Sequence, residues 1–532
     1  MKLTPPLKAA FTLAALVITV IACNKWVSGD FRKTYTDTNA LLHSDSLGIS
    51  FFKAHLQDGR VAILEEDWLL NATQDSVQGL GQLYSINRVL EEQGPIHIAI
   101  DDIAIIETNQ LKKIQAKDGE RLAALAIVTG LSIAITIACL TNPKACFGSC
   151  PTFYTPDARS VHDARAEGFS SSISPALQRT DIDALQCEQP AGSFQLIMKN
   201  EAMETHVLDQ IRLHAAPKAP GTFVFQTQSA GYKLGDAPRP PQRASVNGQN
   251  ITPALHSIDR QEYYARTDSF DLTAKEDLIL EFENTAARQN GLVINFRQSL
   301  LTTFLLYSGL SYMGADFCDY FYMLETSKQA PGLMAKPFRK IGGIEVWAWD
   351  SREKDWQFVE ELYETGPIAH NKMLVSLPDL PPSEGGSIRV KLRMAKGNWR
   401  LDYAGLTALQ GTITPLELSP ERLCVVSGNT QELSLVAQED GASLISFPGN
   451  EYQFDFELPA LPEGHRYELF LSSTGYYLEW MRKEWIQEEN PSKLRKFLAG
   501  HPGTWREMAL EYKSTEATAE EAFWASQYSP LQ

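Results

Sequence analysis

The chain has no Gly-x-Ser-x-Gly elbow, no Walker phosphate loop and no Gly-x-Gly-x-x-Gly fingerprint. Their absence removes sequence support for an α/β serine hydrolase, an energy-dependent machine and nicotinamide chemistry. No internal repeat, low-complexity tract or block of five like charges stands out, which speaks against a repeat array and a charged interaction tail. Cysteine is scarce, seven in 532 residues. Bases are outnumbered 48 to 65, and the net charge of -17 argues against nucleic acid as a partner. What is abundant is apolar side chain: 44% of the chain is hydrophobic, which excludes a disordered protein. At this length one core stops growing, so two or three domains are expected.

The N-terminus carries Lys2 and Lys8, an apolar run from Ala9 to Ala22, and then Cys23. A charged start, a run too short to anchor in a bilayer and a small residue before the cysteine form an export signal. Val20-Ile21-Ala22-Cys23 resembles the lipobox of bacterial lipoproteins. That resemblance implies cleavage before Cys23, a thioether lipid on it, and a mature charge of -19, because Lys2 and Lys8 leave and no acid does. It further implies an outer-membrane lipoprotein of the cell envelope, since Asn24 rather than aspartate follows the cysteine. The remaining six cysteines, Cys139, Cys146, Cys150, Cys187, Cys318 and Cys424, suit an oxidising compartment. A bridge is expected within Cys146, Cys150 and Cys187, which lie close together at an apparent domain start.

The fold class reads as mainly β. Residues 23–46 are a polar tether, and 47–110 a small β domain, with Asp58-Gly59 as a hairpin turn and His97 to Ile106 as a buried strand. Leu122 to Leu140 holds 19 residues without a charge, enough at about 1.5 Å per residue just to cross a hydrocarbon core. A span would send the cysteine-containing body into the cytoplasm. The bases Lys112, Lys113, Lys117 and Arg121 ahead of the run also orient it wrongly. We therefore read 111–145 as an apolar helical segment that does not span.

From 146 to 460 short strand patterns separated by Pro and Gly predict one or two antiparallel sandwiches. The cleanest is Ser387 to Met394, whose apolar residues alternate with Arg389, Lys391 and Arg393, placing the bases in solvent. Other expected strands are Phe194 to Met198, Val207 to Leu213, Leu278 to Phe282, Leu292 to Phe296, Ile344 to Trp349 and Tyr452 to Phe456. Residues 461–532 read as helical. Tyr477, Met481 and Trp485 at four-residue spacing predict a helix over 475–487, Asn490-Pro491 opens a second that ends at Gly500, and a third lies between Thr504 and Ser526.

Three features could carry chemistry. Cys146-Phe147-Gly148-Ser149-Cys150-Pro151 could bind a soft metal or cycle between dithiol and disulfide. Its spacing resembles the Cys-x-x-x-Cys-Pro motif of Sco-type copper chaperones, but the thioredoxin-like context of that family is missing, and a structural disulfide is the default. Asn200, Glu201, Glu204, Thr205, His206 and Asp209 form a polar run that could serve as acid and base or hold a cation, or simply turn the chain. Trp347 and Trp349 share one strand face and, with Trp356 and Trp399, could present a binding surface for a glycan or a protein. The stretches beginning at Cys146, Lys199 and Gly475 resemble segments of exported, β-rich bacterial proteins with a Cys-Phe-Gly-Ser-Cys-Pro-Thr-like motif, a family that implies no activity. No cofactor or resident metal is implied. The expected role is a lipid-anchored structural or binding protein of the envelope, attached to the membrane through its lipid, with a protein or glycan partner. The alternatives are an extracytoplasmic hydrolase acting through Glu201 and Glu204, or a thiol protein using Cys146 and Cys150.

Overall fold

In the computed structural model, the described residues are 26–35, 52–115 and 151–525, with short interruptions of which 321–335 is the longest. The lipobox residues through Cys23, the apolar run 122–140 and the Cys146/Cys150 motif lie outside them. The fold is mainly β, built of antiparallel sheets with helices concentrated at the C-terminal end. Among the described residues no helix is long and apolar enough to cross a membrane.

The N-terminal unit is one seven-stranded sheet. Its core gathers Phe52, Leu64, Val77, Ile96, Ile98 and Ile106. Phe52–Leu56 and Val61–Leu64 pair as the hairpin expected around Asp58-Gly59, whose two turn residues lie outside the described set. Two expectations change. The polar stretch read as a tether contains a strand, Trp26–Tyr35, paired along its whole length with Ile103–Gln115. That second strand runs into what was read as the start of the apolar helical segment. The strand read as His97 to Ile106 is divided by a 3-10 turn at Ile100–Asp102, so that its halves belong to different strands.

The body is two sandwiches, one nested in the other. The outer one packs a five-stranded sheet (Arg179–Gln189, Arg466–Glu479, Glu204–Lys218, Leu416–Leu418 and Leu444–Ser446) against a six-stranded sheet centred on Gly192–Lys199 and Glu451–Leu458. Phe194, Leu196 and Met198 meet Ile211, Leu213 and Leu471 in its interior. The inner sandwich leaves the outer sheet after Lys218 and returns at Leu416, residues that stand close because Ala215 and Leu416 are register partners. Its two six-stranded sheets bury Leu278, Leu280, Leu292, Ile294, Val346, Val390 and Leu392 between them. All seven strands expected in this region form; alternating apolar residues bury one face of strands such as Ile344–Asp350 and Glu451–Leu458, whereas Asn290–Gln298 is buried on both faces.

Helix α1, Leu300–Met313, lies in the inserted half but buries Leu301, Leu305, Leu310 and Met313 in the outer core. Sequence reading passed over it, since it is apolar all round and shows no period to detect. A short helix α2, Lys336–Ile341, follows. Helix α3, Pro491–Leu498, starts as expected, with the Asn490 side chain accepting from the Lys493 N–H and Pro491 in the first turn. Helix α4, Pro502–Ala525, is the third expected helix.

The helix expected over 475–487 is corrected. Residues up to Glu479 belong to the strand Arg466–Glu479, hydrogen-bonded on both sides. A spacing of four is even, so it fits one face of a strand as well as one face of a helix. Gly475 belongs to this pairing: a Cβ there would sit 2.3 Å from the Val207 carbonyl oxygen and against the Phe169 ring.

Candidate ligand cavity

Where the two sandwiches and α1 meet, the protein forms an open-sided cavity of about 650 Å³. Its apolar walls come from Ile173 and Leu177 of the outer sandwich, Leu306 of α1, Phe338 of α2 and Trp399 of the inner sandwich. A junction between domains is where such sites concentrate, and the volume suits a small organic molecule.

Into this lining project three buried carboxyl groups, Glu167, Glu364 and Glu479. Glu167 ends the short strand Ala166–Glu167, and its Oε2 accepts the N–H groups of Ile368 at 2.8 Å and Ala369 at 3.2 Å. Gly366 allows this approach: it has φ +106°, and a Cβ would lie 2.4 Å from the Glu167 carboxyl carbon. The second oxygen, Oε1, has no hydrogen-bond partner. Burial pushes the Glu167 carboxyl up to about 7, although the two N–H groups and the Arg297 charge pull the other way. Behind it, burial also raises Asp181 and Asp183, and the neighbouring carboxylates Asp181, Glu364 and Glu167 add to the effect on Asp183. Glu364 is held by Asn371, whose amide donates to its Oε2 at 2.5 Å while its Oδ1 accepts the Ala184 N–H. The Tyr307 hydroxyl donates to Glu479.

Two further buried polar atoms of lining residues lack partners, Oδ1 of Asn398 and the indole Nε1 of Trp399. Among the described residues no three His, Cys, Asp or Glu side chains are arranged to hold a metal ion.

The polar run read from the sequence splits apart. Glu201 turns toward the strand Thr152–Tyr154 and accepts from Thr152 Oγ1 at 2.7 Å and Tyr154 OH at 2.8 Å. Glu204 instead takes the His206 Nε2 hydrogen bond at 2.9 Å, both side chains wholly buried. Glu204 and His206 stand opposite Glu479 and Tyr477 in the register, beside the cavity rather than lining it. Asn200 donates to the backbone oxygens of Glu204 and Ser446, the turn-forming role that was its plainer reading. Asp209, at a β-bulge, accepts from Gln178 and Ser443. Glu201 and Glu204 therefore do not converge as an acid and base pair.

Cys187 is a free thiol, so a bridge within the expected trio is left to Cys146 and Cys150, which lie outside the described residues. It follows Gln186, which has φ +50°, at an irregularity in the Arg179–Gln189 strand, and burial pushes its thiol up to about 12. So high a value leaves little thiolate to react.

Trp347 and Trp349 do share the outer face of Ile344–Asp350, with Val346 and Ala348 buried beneath. Two corrections apply. Lys391, expected in solvent, is 9% exposed and lies 4.7 Å over Trp347 and 5.0 Å over Trp356, while Arg389 covers Trp349 at 5.1 Å. Trp399 is on the other sheet, inside the inner core. The recess beside Trp349 is about 30 Å³, room for a water and not a sugar. The rings satisfy one another, Trp349 meeting Trp356 edge-on at 5.3 Å.

Sequence reading missed Glu167, Glu364 and Glu479. Only Gly366-Pro367, a turn dipeptide beside Glu364, gave a local signal.

No protein-family model matches the chain, and no curated protein does. Among solved structures, the secreted serine protease VesC from Vibrio cholerae aligns at 8% identity, over 73% of this chain and 97% of that one, with a TM-score of 0.14. Overlap of that quality carries no argument about fold or chemistry.

Proposed function

We propose that this is a lipid-anchored envelope protein that binds a small, largely apolar molecule in the inter-sandwich cavity. The observation that carries the reading is the cavity itself, about 650 Å³, with apolar walls and the polar side chains of Glu167, Asn398 and Tyr307 among its lining. Recognition divides in the usual way, apolar walls supplying affinity and a few fixed polar groups orientation. A hydrolase reading has less support, because Glu201 is committed to Thr152 and Tyr154.

Saturation-transfer NMR on the full chain with 4-phenylbutanol and indole tests this. Leu306 is a cavity-lining, half-buried residue, so Leu306→Trp fills the space with little cost to the core. Transfer that the variant abolishes supports the cavity; transfer to neither probe, or transfer indifferent to the variant, overturns it. The anchor is tested separately. Cys23→Ser should release the protein from membranes into the soluble fraction, and full retention would mean that another segment holds it.

A further inference from the structure

We propose that the cavity takes an anionic amphiphile, a carboxylate or phosphate head on an apolar body. The head lies at the mouth against Arg179 and Arg339, and the body lies against Leu177, Leu306 and Phe338. The inference rests on the cavity being a ligand site and names the chemistry of what enters it.

A ligand meets only the accessible part of the lining. Five lining residues are charged, Glu167, Arg179, Arg339, Glu364 and Glu479, and burial divides them by sign. The three acids are withdrawn, 3%, 7% and 1% exposed, whereas both arginines are exposed. The acids are also committed: Glu167 accepts the Ile368 and Ala369 N–H groups, Glu364 the Asn371 amide and Glu479 the Tyr307 hydroxyl. Among the described residues the side chains of Arg179 and Arg339 make no hydrogen bond and no ion pair. Arg179 stands near the buried Asp181 without bonding it. Arg339 acts on the hydroxyl of Tyr363, an exposed ring of the same lining. Glu361, the acid beside that hydroxyl, accepts the Gly343 N–H and lies outside the lining.

Leu177, Leu306 and Phe338 are half-buried and give the space its reachable apolar surface, and Ser171 and Thr303 add half-buried hydroxyls. Apolar surface beside two unspent guanidinium forks selects a molecule of two parts. The fork matches the paired oxygens of a carboxylate or a phosphate and bonds them with charge assistance. The chain as a whole carries -17, so its overall field repels anions, and a mouth whose accessible charges are positive runs against that field. An ammonium would meet the two cations while the acids stay covered. A neutral amphiphile would leave both forks to water.

Isothermal titration of the full chain with four probes of one length decides the matter: octanoate, octyl phosphate, octanol and octylamine. The expected result at low salt is that the anions bind about 10-fold more tightly than octanol and that octylamine binds more weakly. The anions' advantage should shrink at about 0.5 M sodium chloride, while octanol keeps its affinity. A double variant, Arg179→Gln with Arg339→Gln, changes two exposed side chains that hold nothing in the fold. It should abolish the anions' advantage and leave octanol binding in place, whereas Leu306→Trp should abolish binding of every probe. A larger gain for octanoate assigns a carboxylate head, a larger gain for octyl phosphate a phosphate head, and either supports the inference. Anions no tighter than octanol, octylamine as tight as the anions, or an advantage that survives the double variant overturns it and leaves the cavity reading standing. Binding of none of the four, or binding indifferent to Leu306→Trp, overturns the cavity reading as well. Should the double variant misfold by circular dichroism, the wild-type salt series decides alone.

Discussion

Glu167 carries an energetic cost in the folded state, because its carboxyl is buried. It is pressed against Gly366 at a φ that side chains avoid, with two N–H groups on one oxygen and none on the other. Its folded-state value near 7 lies above the unfolded value of 4.5, so the folded chain holds the proton more tightly. Below pH 4.5 Glu167 is protonated in both states and its own contribution to stability is greatest. As pH rises to 7 the unfolded chain ionises first, stability falls by about 3 kcal/mol, and above 7 it levels off. Urea unfolding at pH 5 and pH 8 should show this loss in the wild type and a correspondingly smaller one in Glu167→Gln. Equal losses in both would mean that other carboxyls, Asp183 foremost, carry the linkage. At this scale the sequence was legible where side chains alternate: Trp347 and Trp349 fell on one face as read. It was not legible for the acid cluster, because Glu167, Asp183 and Glu364 are brought together by packing and share no local pattern.

At the scale of elements, helix α4 is fastened to the inner sandwich by a buried ionic clasp. Arg297 grips Glu262 through Nε at 2.5 Å and one terminal nitrogen at 2.8 Å, and the same nitrogen reaches Glu520 of α4 at 2.7 Å. His370 and Arg400 add bonds to Glu262 at 2.8 and 3.2 Å. Burial alone would raise Glu262, but the His370 hydrogen bond and the Arg297 charge overcome it and hold the carboxyl at about 2. The sign is therefore opposite to that of Glu167. Stability from Glu262 is present in full above pH 4.5 and is lost as pH falls toward 2, about 3 kcal/mol in all. Unfolding monitored by circular dichroism should show Glu262→Gln already destabilised at pH 5, with a shallower acid limb than the wild type. A variant as stable as the wild type at pH 5 would show that the clasp contributes nothing net, as buried ion pairs sometimes do. The helices at its C-terminal side were legible from Asn490, Pro491 and Gly500, since caps are local chemistry. The 475–487 stretch was not, because even spacing serves both periods.

For the whole molecule, the nesting of one sandwich inside the other decides how it comes apart. Partners such as Arg179–Gln189 and Arg466–Glu479 lie almost 300 residues apart, so no window of sequence reveals that they are neighbours. Nesting alone would allow the inner sandwich to unfold by itself, since its ends meet at Ala215 and Leu416 and its core is separate. Helix α1 argues otherwise. It follows the inner strand Asn290–Gln298 directly, yet Leu301, Leu305 and Leu310 are fully buried in the outer core, against residues of α3 and α4. Melting the inner sandwich withdraws α1 and opens that core, while melting the outer one strips α1 and the Glu520 clasp from the inner. The N-terminal sheet has its own core in Phe52, Leu64 and Ile98, with none of the body's residues in it. Scanning calorimetry should therefore resolve two transitions, one for the N-terminal sheet and one for both sandwiches together. Leu305→Ala, which leaves a void where α1 enters the outer core, should lower the body transition as a single peak by about 2 to 5 kcal/mol and leave the N-terminal one in place. A body transition that splits in this variant would show that α1 does not couple the sandwiches, and would allow the cavity between them to open without either unfolding.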